Sequence, residues 1–396
     1  MNREGKFHMK VKRGAALLCA ACLIGTGAYS LPAAAVRIAA EEETAKETAG
    51  LKYEAADGSV TITGFTSELK GEVTVPAEIE GLPVAKIGEG AFRYNTKVTA
   101  ITLPDSVTEI GKESFKSCFH LKTVTLSKNL TSIPDNTFQE SRELESLAVP
   151  EKVRSIGELA FAQCLSLLDL TLPEKLETVG EDAFLNTPWM DAKRAENPFV
   201  IINHVLIDGK ACRGDVTIPA DVTKIGAGAF SYDHEVVNIL VPETVTEIDR
   251  YGIFDCNRLE TVTVLNPDCI ICDMKATISN NYARHVPYML GKIRGYENST
   301  VQAYAERYEY PFEAVSAVKG DVDLNGIIAA EDAQGLLNIV AETVAENDAK
   351  LNEMQKTAAD VNADGTINAA DAQLILTYYV QNTVAGVPTE WDALLR

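Results

Sequence analysis

Two groups of carboxylate and amide residues near the C-terminus have the spacing of a calcium-binding loop. Calcium takes about six to eight oxygen ligands, and a twelve-residue loop supplies them from positions 1, 3, 5, 7, 9 and 12, with position 7 giving its backbone carbonyl. Position 6 needs a sharp turn with positive φ, and Gly326 and Gly365 stand there. We therefore predict two Ca²⁺ ions, held by Asp321, Asp323, Asn325, Ile327 and Asp332 in the first loop and by Asp360, Asn362, Asp364, Thr366, Asn368 and Asp371 in the second.

Each loop runs into an apolar stretch with helical spacing. The stretches contain Ala333, Leu336, Leu337 and Val340 after the first loop, and Ala372, Leu374, Ile375, Leu376, Tyr379 and Val380 after the second. Such short helices are marginal alone in water, so we expect calcium to fold them. Asn368 offers an oxygen at position 9, where the first loop has Ala329, and this predicts tighter binding in the second loop.

The order of loop and helix separates this segment from a standard EF-hand. An EF-hand loop ends in Glu, whereas both loops here end in Asp, and no apolar helix of comparable length precedes either. Tandem loop-then-helix units of this kind resemble the type I-like dockerin module of cellulosome-forming bacteria. The resemblance implies a small all-α calcium-binding module at residues 320–396, after a linker at 315–319. Its partner would be a cohesin module of a scaffold protein.

The resemblance also implies which side chains contact the cohesin. Carried over from positions 10, 11, 17, 18 and 22 of each dockerin unit, they are Ala330, Glu331, Leu337, Asn338 and Glu342 in the first unit and Ala369, Ala370, Leu376, Thr377 and Gln381 in the second. Glu331 and Glu342 give the first surface charges that the second lacks, and burying an unpaired carboxylate is costly. We therefore expect a single binding orientation, led by the second helix around Leu376.

The longer part of the chain that precedes this module is periodic. Phenylalanine recurs every 23 residues, at Phe92, Phe115, Phe138, Phe161 and Phe184. A fixed period of about 20 to 29 residues is typical of a leucine-rich-type solenoid, in which stacking buries the face that one unit cannot bury alone. Alternating apolar residues such as Val124 and Leu126 predict one short strand per unit, and a following proline such as Pro150 ends it.

Each unit has a strand, a proline, an Ile-Gly step and a Phe, often with Cys three residues later, and it resembles the BspA-type bacterial leucine-rich repeat. The resemblance covers residues 51–314 and implies a β-rich solenoid with a binding role. Asp57-Gly58 predicts an N-terminal hairpin cap. We also expect an irregular insert at 188–214 and a C-terminal cap at 265–313. The 24-residue spacing from Phe230 to Phe254 predicts a one-residue insertion near Arg250.

The N-terminus predicts export. Residues 1–35 have the basic segment, apolar segment and small-residue cleavage site of a secretory signal peptide. Residues 36–50 predict a disordered leader. No later apolar run is long enough to span a membrane, and a net charge of −21 disfavours binding to nucleic acid. We expect a secreted, extracellular protein that is associated with the cell surface through the cellulosome.

No catalytic pattern accompanies these modules. Nucleophile-elbow, zinc-protease and phosphate-loop motifs are absent from the sequence, which predicts that the protein is not an enzyme. Cys118 and Cys164 recur at one repeat position, too far apart for a disulfide, so we expect buried free thiols. Cys269 and Cys272 have CxxC spacing without a second pair, and we expect a buried pair or a local bridge there in preference to a metal or redox site.

These observations predict a non-catalytic cellulosome component whose solenoid binds plant cell-wall polysaccharide or another protein. The alternative is a cellulosomal enzyme or enzyme regulator acting on plant polysaccharide, with its active groups in residues 188–214 or 265–313. A third reading makes the calcium module a stabilising cap on the solenoid.

Overall fold

The computed structural model describes residues 46–283, 286–346, 351 and 353–395. They belong to one compact unit that begins at residue 45. The predicted signal peptide, residues 1–35, and the predicted leader up to residue 45 lie outside the described residues. Within the described ranges, no helix is both long and apolar enough to cross a membrane.

The fold has two parts, a β-solenoid with a repeat of about 23 residues and a C-terminal helical region. The solenoid begins with β1 (Lys46–Thr48), β2 (Leu51–Ala56) and β3 (Ser59–Phe65). Strands β2 and β3 form an antiparallel hairpin whose turn residues, Asp57 and Gly58, have φ of 51° and 75°, as a type I′ turn requires. Strand β1 pairs with the free edge of β2. The prediction of a disordered leader is therefore wrong for residues 46–48, because that edge offers unpaired backbone groups.

Two rows of parallel strands continue the first half. The main row contains β4 (Gly71–Thr74), β7 (Val98–Thr102), β9 (Thr123–Thr125), β11 (Ser146–Ala148) and β13 (Asp169–Thr171). The second row is built at the Ile-Gly steps and contains β5 (Glu78–Ile79), β6 (Leu82–Ile87), β8 (Glu109–Ile110), β10 (Ser132–Ile133), β12 (Ser155–Ile156) and β14 (Thr178–Val179). Strand β5 alone is antiparallel to its neighbour. Ile101 lies opposite Val124, so each unit stacks on the next in register.

The repeated phenylalanines form a stacked ladder through the core. Neighbouring rings from Phe92 to Phe184 have centroids 5.2 to 5.6 Å apart and are within 11° of parallel. All five side chains are buried. Trp189 packs on the last ring, 4.8 Å from Phe184. Each unit therefore buries a large aromatic side chain only because its neighbour is present.

The residue one period after Phe230 is Ile253, and Phe254 is buried outside the hydrophobic cluster that contains Ile253. The amide of Phe230 donates to the carbonyl of Gly252, and Ile253 is fully buried in the core. Phe254 instead contacts a cluster of three tyrosines, Tyr232, Tyr251 and Tyr282. The predicted insertion near Arg250 is therefore wrong, since an isoleucine has replaced the core aromatic without any change of register.

The segment predicted as an irregular insert is ordered. It contains α1 (Pro188–Glu196) and the hairpin of β15 (Val200–Ile202) and β16 (Val205–Asp208). Thr187 caps α1 by accepting a hydrogen bond from the amide of Met190, and Pro188 occupies the first turn, where its missing N–H costs nothing. Arg194 pairs with Asp208 through bonds of 2.9 and 2.7 Å. The segment separates two hydrophobic cores.

The second half repeats the two rows. The main row contains β17 (Gly214–Thr217), β19 (Val236–Val241), β21 (Thr261–Val264), β25 (Lys292–Gly295) and β26 (Phe312–Ala314). The second row contains β18 (Lys224–Ile225), β20 (Glu247–Ile248) and β22 (Ile270–Ile271). A separate antiparallel pair is formed by β23 (Asn281–Ala283) and β24 (Val286–Tyr288). In the C-terminal cap, β25 and β26 extend the main row in parallel. Helix α2 (Thr300–Arg307) buries Val301, Tyr304 and Ala305.

The cysteines of the described chain are free, and those at the repeat position satisfy backbone carbonyls. The Sγ atoms of Cys118 and Cys164 donate to the carbonyls of Phe92 and Phe138, both at 3.1 Å. Ser141 does the same to the carbonyl of Phe115. Cys269 and Cys272 are also free, so the local bridge is not formed.

The helical region contains α3 (Ala330–Glu346), α4 (Glu353–Ala359), α5 (Ala369–Tyr379), a π-helix (Val380–Val384) and α6 (Trp391–Leu394). Its core joins Leu336, Val361 and Ile375, among others. Trp391 stacks on Tyr378 with centroids 4.2 Å apart, which ties the C-terminal end to α5.

Candidate calcium-binding and partner-binding site

The first loop is held by hydrogen bonds from its own backbone to two carboxylates. Asp321 Oδ2 accepts from the amide of Gly326 at 2.9 Å. Asp332, at the start of α3, accepts from Val322 at 2.7 Å and from Ala329 at 2.8 Å. Because Gly326 has φ of 92°, the chain turns back at position 6 and brings position 12 next to position 1.

This turn gathers three carboxylates. Asp321, Asp323 and Asp332 each offer an oxygen, and these oxygens lie within 4.8 Å of one another. Asp321 and Asp332 are buried, and Asp321 Oδ1 has no hydrogen-bond partner. Burial, with repulsion from Asp332, raises the pKa of Asp321 to about 6; burial also raises the pKa of Asp323 and the pKa of Asp332 to about 6. A buried, mutually repelling set of oxygens with one oxygen unpaired fits a hard cation such as Ca²⁺.

The second loop repeats the hydrogen-bond scheme. Asp360 Oδ2 accepts from the amide of Gly365 at 3.0 Å. Asp371 accepts from Val361 at 3.2 Å and from Asn368 at 3.0 Å. The two loops therefore match position by position. Among the described residues, only the first loop brings oxygens of three acidic side chains within 4.8 Å of one another.

Asn368, predicted as the ligand at position 9, caps a helix in this structure. Its Oδ1 accepts from the amide of Ala370 at 2.7 Å, and its Nδ2 donates to the carbonyl of Thr366 at 3.0 Å. With Asp371 it forms a capping box at the start of α5. Its oxygen has a second lone pair, so the cap is compatible with a metal ligand at position 9, and tighter binding in the second loop stays a prediction.

The side chains predicted to contact a partner lie at the surface of α3, α5 and the π-helix. Leu337 is 40% exposed and Leu376 is 42% exposed. Glu331, Asn338, Glu342, Ala369 and Ala370 are also exposed, whereas Ala330, Thr377 and Gln381 are half-buried. Both helix faces are thus accessible on the described chain.

Sequence reasoning missed a contact between the first loop and the solenoid. Leu324, at position 4 of that loop, is fully buried against Leu240 and Leu265. Arg294 of β25 donates from Nη1 to the carbonyl of Leu324 at 3.4 Å. A signal was present, because Leu240 stands at a strand position where neighbouring units have Thr.

Comparisons with known proteins also divide the chain into a solenoid part and a C-terminal helical part. A family model for the BspA type leucine rich repeat region matches residues 79–198 and 210–277 in six copies. A model for the dockerin type I domain matches residues 319–378. No match was found among curated proteins.

Several solved structures are similar to this chain. A leucine rich repeat protein of T. pallidum is 18% identical, with 68% of this chain and 98% of that chain covered and a TM-score of 0.35. A leucine rich cell surface protein of Faecalibacterium prausnitzii is 21% identical, with 70% and 96% covered and a TM-score of 0.36. A leucine-rich repeat protein of Bacteroides ovatus is 16% identical, with 68% and 100% covered and a TM-score of 0.35.

Proposed function

The chain joins BspA-type leucine-rich repeats to a C-terminal dockerin type I domain, and from this we propose that it is a secreted, non-catalytic component of a cellulosome. Its dockerin binds a cohesin on a scaffold protein when two calcium ions are bound. Its solenoid binds a protein or a plant cell-wall ligand and is held at the bacterial surface by the assembly.

The cluster of three carboxylates formed by Asp321, Asp323 and Asp332 is the main support for calcium dependence. The other predicted ligands are Asn325 and the carbonyl of Ile327 in the first loop. In the second loop they are Asp360, Asn362, Asp364, the carbonyl of Thr366, Asn368 and Asp371. Bound calcium supplies positive charge that offsets the repulsion between these carboxylates. Because both loops lead directly into the exposed helices α3 and α5, metal binding and the shape of the partner surface depend on each other.

The differences between the two helix faces support one binding orientation. Glu331 at the start of α3 corresponds to Ala370 in α5, and both are exposed. A cohesin that buries the small Ala370 and the exposed Leu376 would have to bury a carboxylate in the reversed orientation, at a cost of several kcal/mol if it is unpaired. We therefore assign the leading contact to α5.

The outer face of the main row in the first half supports a binding role for the solenoid. Thr102, Thr125, Ala148 and Thr171 form a neutral, exposed line along parallel strands. Many charged side chains are instead paired between neighbouring units, as in Lys112–Asp135 at 2.6 Å. An exposed line of small, hydroxyl-bearing side chains suits an extended peptide or a hydroxyl-bearing polysaccharide.

Binding measurements on the full chain test this assignment. A panel of cohesins, plant polysaccharides and scaffold proteins is screened in calcium and in chelator. Paired substitutions Thr125→Lys and Thr171→Lys should abolish binding to the solenoid ligand and leave cohesin binding intact. Release of sugars from a bound polysaccharide would overturn the non-catalytic assignment in favour of an enzyme.

A further inference from the structure

One line of residues on the outer face of the main row changes from exposed to buried along the solenoid. Thr125, Ala148 and Thr171 are exposed, as is Thr217 in β17. The next residues in the same register are Leu240, Thr263 and Arg294. They are only 6%, 2% and 6% exposed. Another part of the chain therefore covers this face over β19, β21 and β25.

The cover is the first calcium loop. Leu324 packs into a cluster with Leu240, Leu265, Val315 and Ala358. The guanidinium of Arg294 reaches the loop backbone, donating to the carbonyl of Leu324. It also fills the space beside Gly326, where an added Cβ would lie 2.5 Å from Nη1. Asn325 and Ile327 line a small cavity together with Thr217, Leu240 and Thr263.

The second loop provides an internal comparison, because it has the same backbone without this contact. Leu324 and Ala363 both occupy position 4 with left-handed φ of 61° and 59°, yet Leu324 is fully buried and Ala363 is exposed. Nothing lies within 4 Å of a Cβ built on Gly365. Asp321 is fully buried, whereas its counterpart Asp360 is half-buried. Docking therefore distinguishes the first loop from the second.

Burial of this loop makes metal binding and docking interdependent. The loop holds three neighbouring carboxylates, and one oxygen of Asp321 is buried without a hydrogen bond. Removing such groups from water is costly unless a cation offsets their charge. The positive charge of Arg294 is partly offset by Glu313, whose Oε1 lies 3.3 Å from Nε, so it does not replace a divalent ion.

We propose that the solenoid face around Leu240 is a docking surface for the chain's own first calcium loop, and that calcium in this loop and docking strengthen each other. The cohesin-binding helices are then held at a fixed orientation to the solenoid when calcium is bound. This inference rests on the proposed calcium binding. By linkage, calcium strengthens docking by the same factor as docking strengthens calcium binding, so a change that abolishes docking lowers the calcium affinity of the first site by that factor.

Leu240→Thr in the full chain is the sharpest test. Threonine occupies the matching position in Thr102, Thr125, Thr171 and Thr217, so the solenoid should tolerate it. Titration calorimetry should show one calcium site weakened by about 5- to 150-fold, the usual range of such couplings, and the other unchanged. Leu324→Ala, which makes position 4 match Ala363, should weaken the same site. Thr74→Ala, at an exposed threonine in the same register on the uncovered strand β4, is the matched control and should change neither site.

Small-angle scattering of the same proteins measures docking itself. The wild type with calcium should be compact, and chelator or Leu240→Thr should extend it. Two unchanged calcium sites in both Leu240→Thr and Leu324→Ala, or a compact profile that chelator does not alter, would overturn the coupling. A wild-type chain that binds no calcium would instead reject the proposed function on which the inference rests.

Discussion

The amide of Gly326 donates a hydrogen bond to Asp321 Oδ2 at 2.9 Å, which closes the first loop around a buried carboxylate. The same bond recurs in the second loop, where Gly365 donates to Asp360 at 3.0 Å. Two loops with one bonding scheme but different burial make a matched pair for experiments on metal binding.

Asp321→Ala should weaken calcium binding at the first site. It removes a ligand from the acidic group, and the loss should exceed the roughly 10- to 100-fold effect of substituting a residue that only orients a ligand. Titration calorimetry of the full chain measures both sites. Asp360→Ala is the matched control and should weaken the other site; a chain in which Asp321→Ala leaves both affinities intact contradicts the assignment.

Phe138→Ala should destabilise the solenoid strongly. The ring lies in the middle of the ladder, fully buried between Phe115 and Phe161, and such truncations cost about 3–5 kcal/mol. Urea unfolding followed by circular dichroism gives the free energy of unfolding. Thr125→Ala, exposed on the same solenoid, should change it by no more than about 0.5 kcal/mol. Comparable losses for the two variants would show that the ladder does not carry the stability.

Stability should fall as the pH rises above about 9, partly because of the buried thiols. Burial raises the pKa of the Cys118 thiol from 9.0 to about 12. Between these values the unfolded chain loses the proton while the folded chain keeps it. This thiol's contribution is therefore complete below pH 9 and declines by about 1.4 kcal/mol per pH unit above it. Cys118→Ser should make the dependence shallower over this range in pH-dependent unfolding; identical slopes for the two proteins would contradict the cause.

Much of the fold could be predicted because the same side chains recur in each repeat and stack on their counterparts in the next. The spacing from Phe92 to Phe184 predicts the ladder. Asp57 and Gly58 form the predicted turn of the N-terminal hairpin, since both residues tolerate positive φ. The spacing misled at Phe254, because the core position tolerates Ile253 and the neighbouring Phe254 is buried among tyrosines instead. Residues 188–214 form a helix and a hairpin. The helix is capped by Thr187, and a single capping residue does not show in the periodicity of the sequence.

In the two calcium loops, likewise, the sequence predicts some features and not others. Ligand spacing brings Asp321, Asp323 and Asp332 together, since the glycine turn is a local property. Asn368 also caps α5 in this structure, a second role that ligand spacing does not reveal. The burial of Leu324 against Leu240 joins residues 84 apart in the sequence. The leucine at a position where neighbouring units have threonine indicates that this spot is covered, but it does not show which segment covers it.

Leu376→Glu should reduce cohesin binding much more than Leu337→Glu. The two leucines are almost equally exposed, but α3 presents the exposed carboxylate of Glu331 where α5 presents Ala370. A new carboxylate there would cost several kcal/mol on binding. Surface plasmon resonance with a cohesin that binds the wild type compares the variants in calcium. Equal losses, or a larger loss for Leu337→Glu, would overturn the single orientation.

Cohesin binding in calcium and in chelator tests the central proposal most directly. The full chain, incubated with a panel of cohesins and separated by size-exclusion chromatography, should form a one-to-one complex in calcium that is lost in chelator and restored when calcium returns. The double variant Asp321→Ala, Asp360→Ala should form no complex in either condition. A chain that binds calcium but none of the cohesins, or a complex that persists in chelator, would contradict a calcium-dependent dockerin.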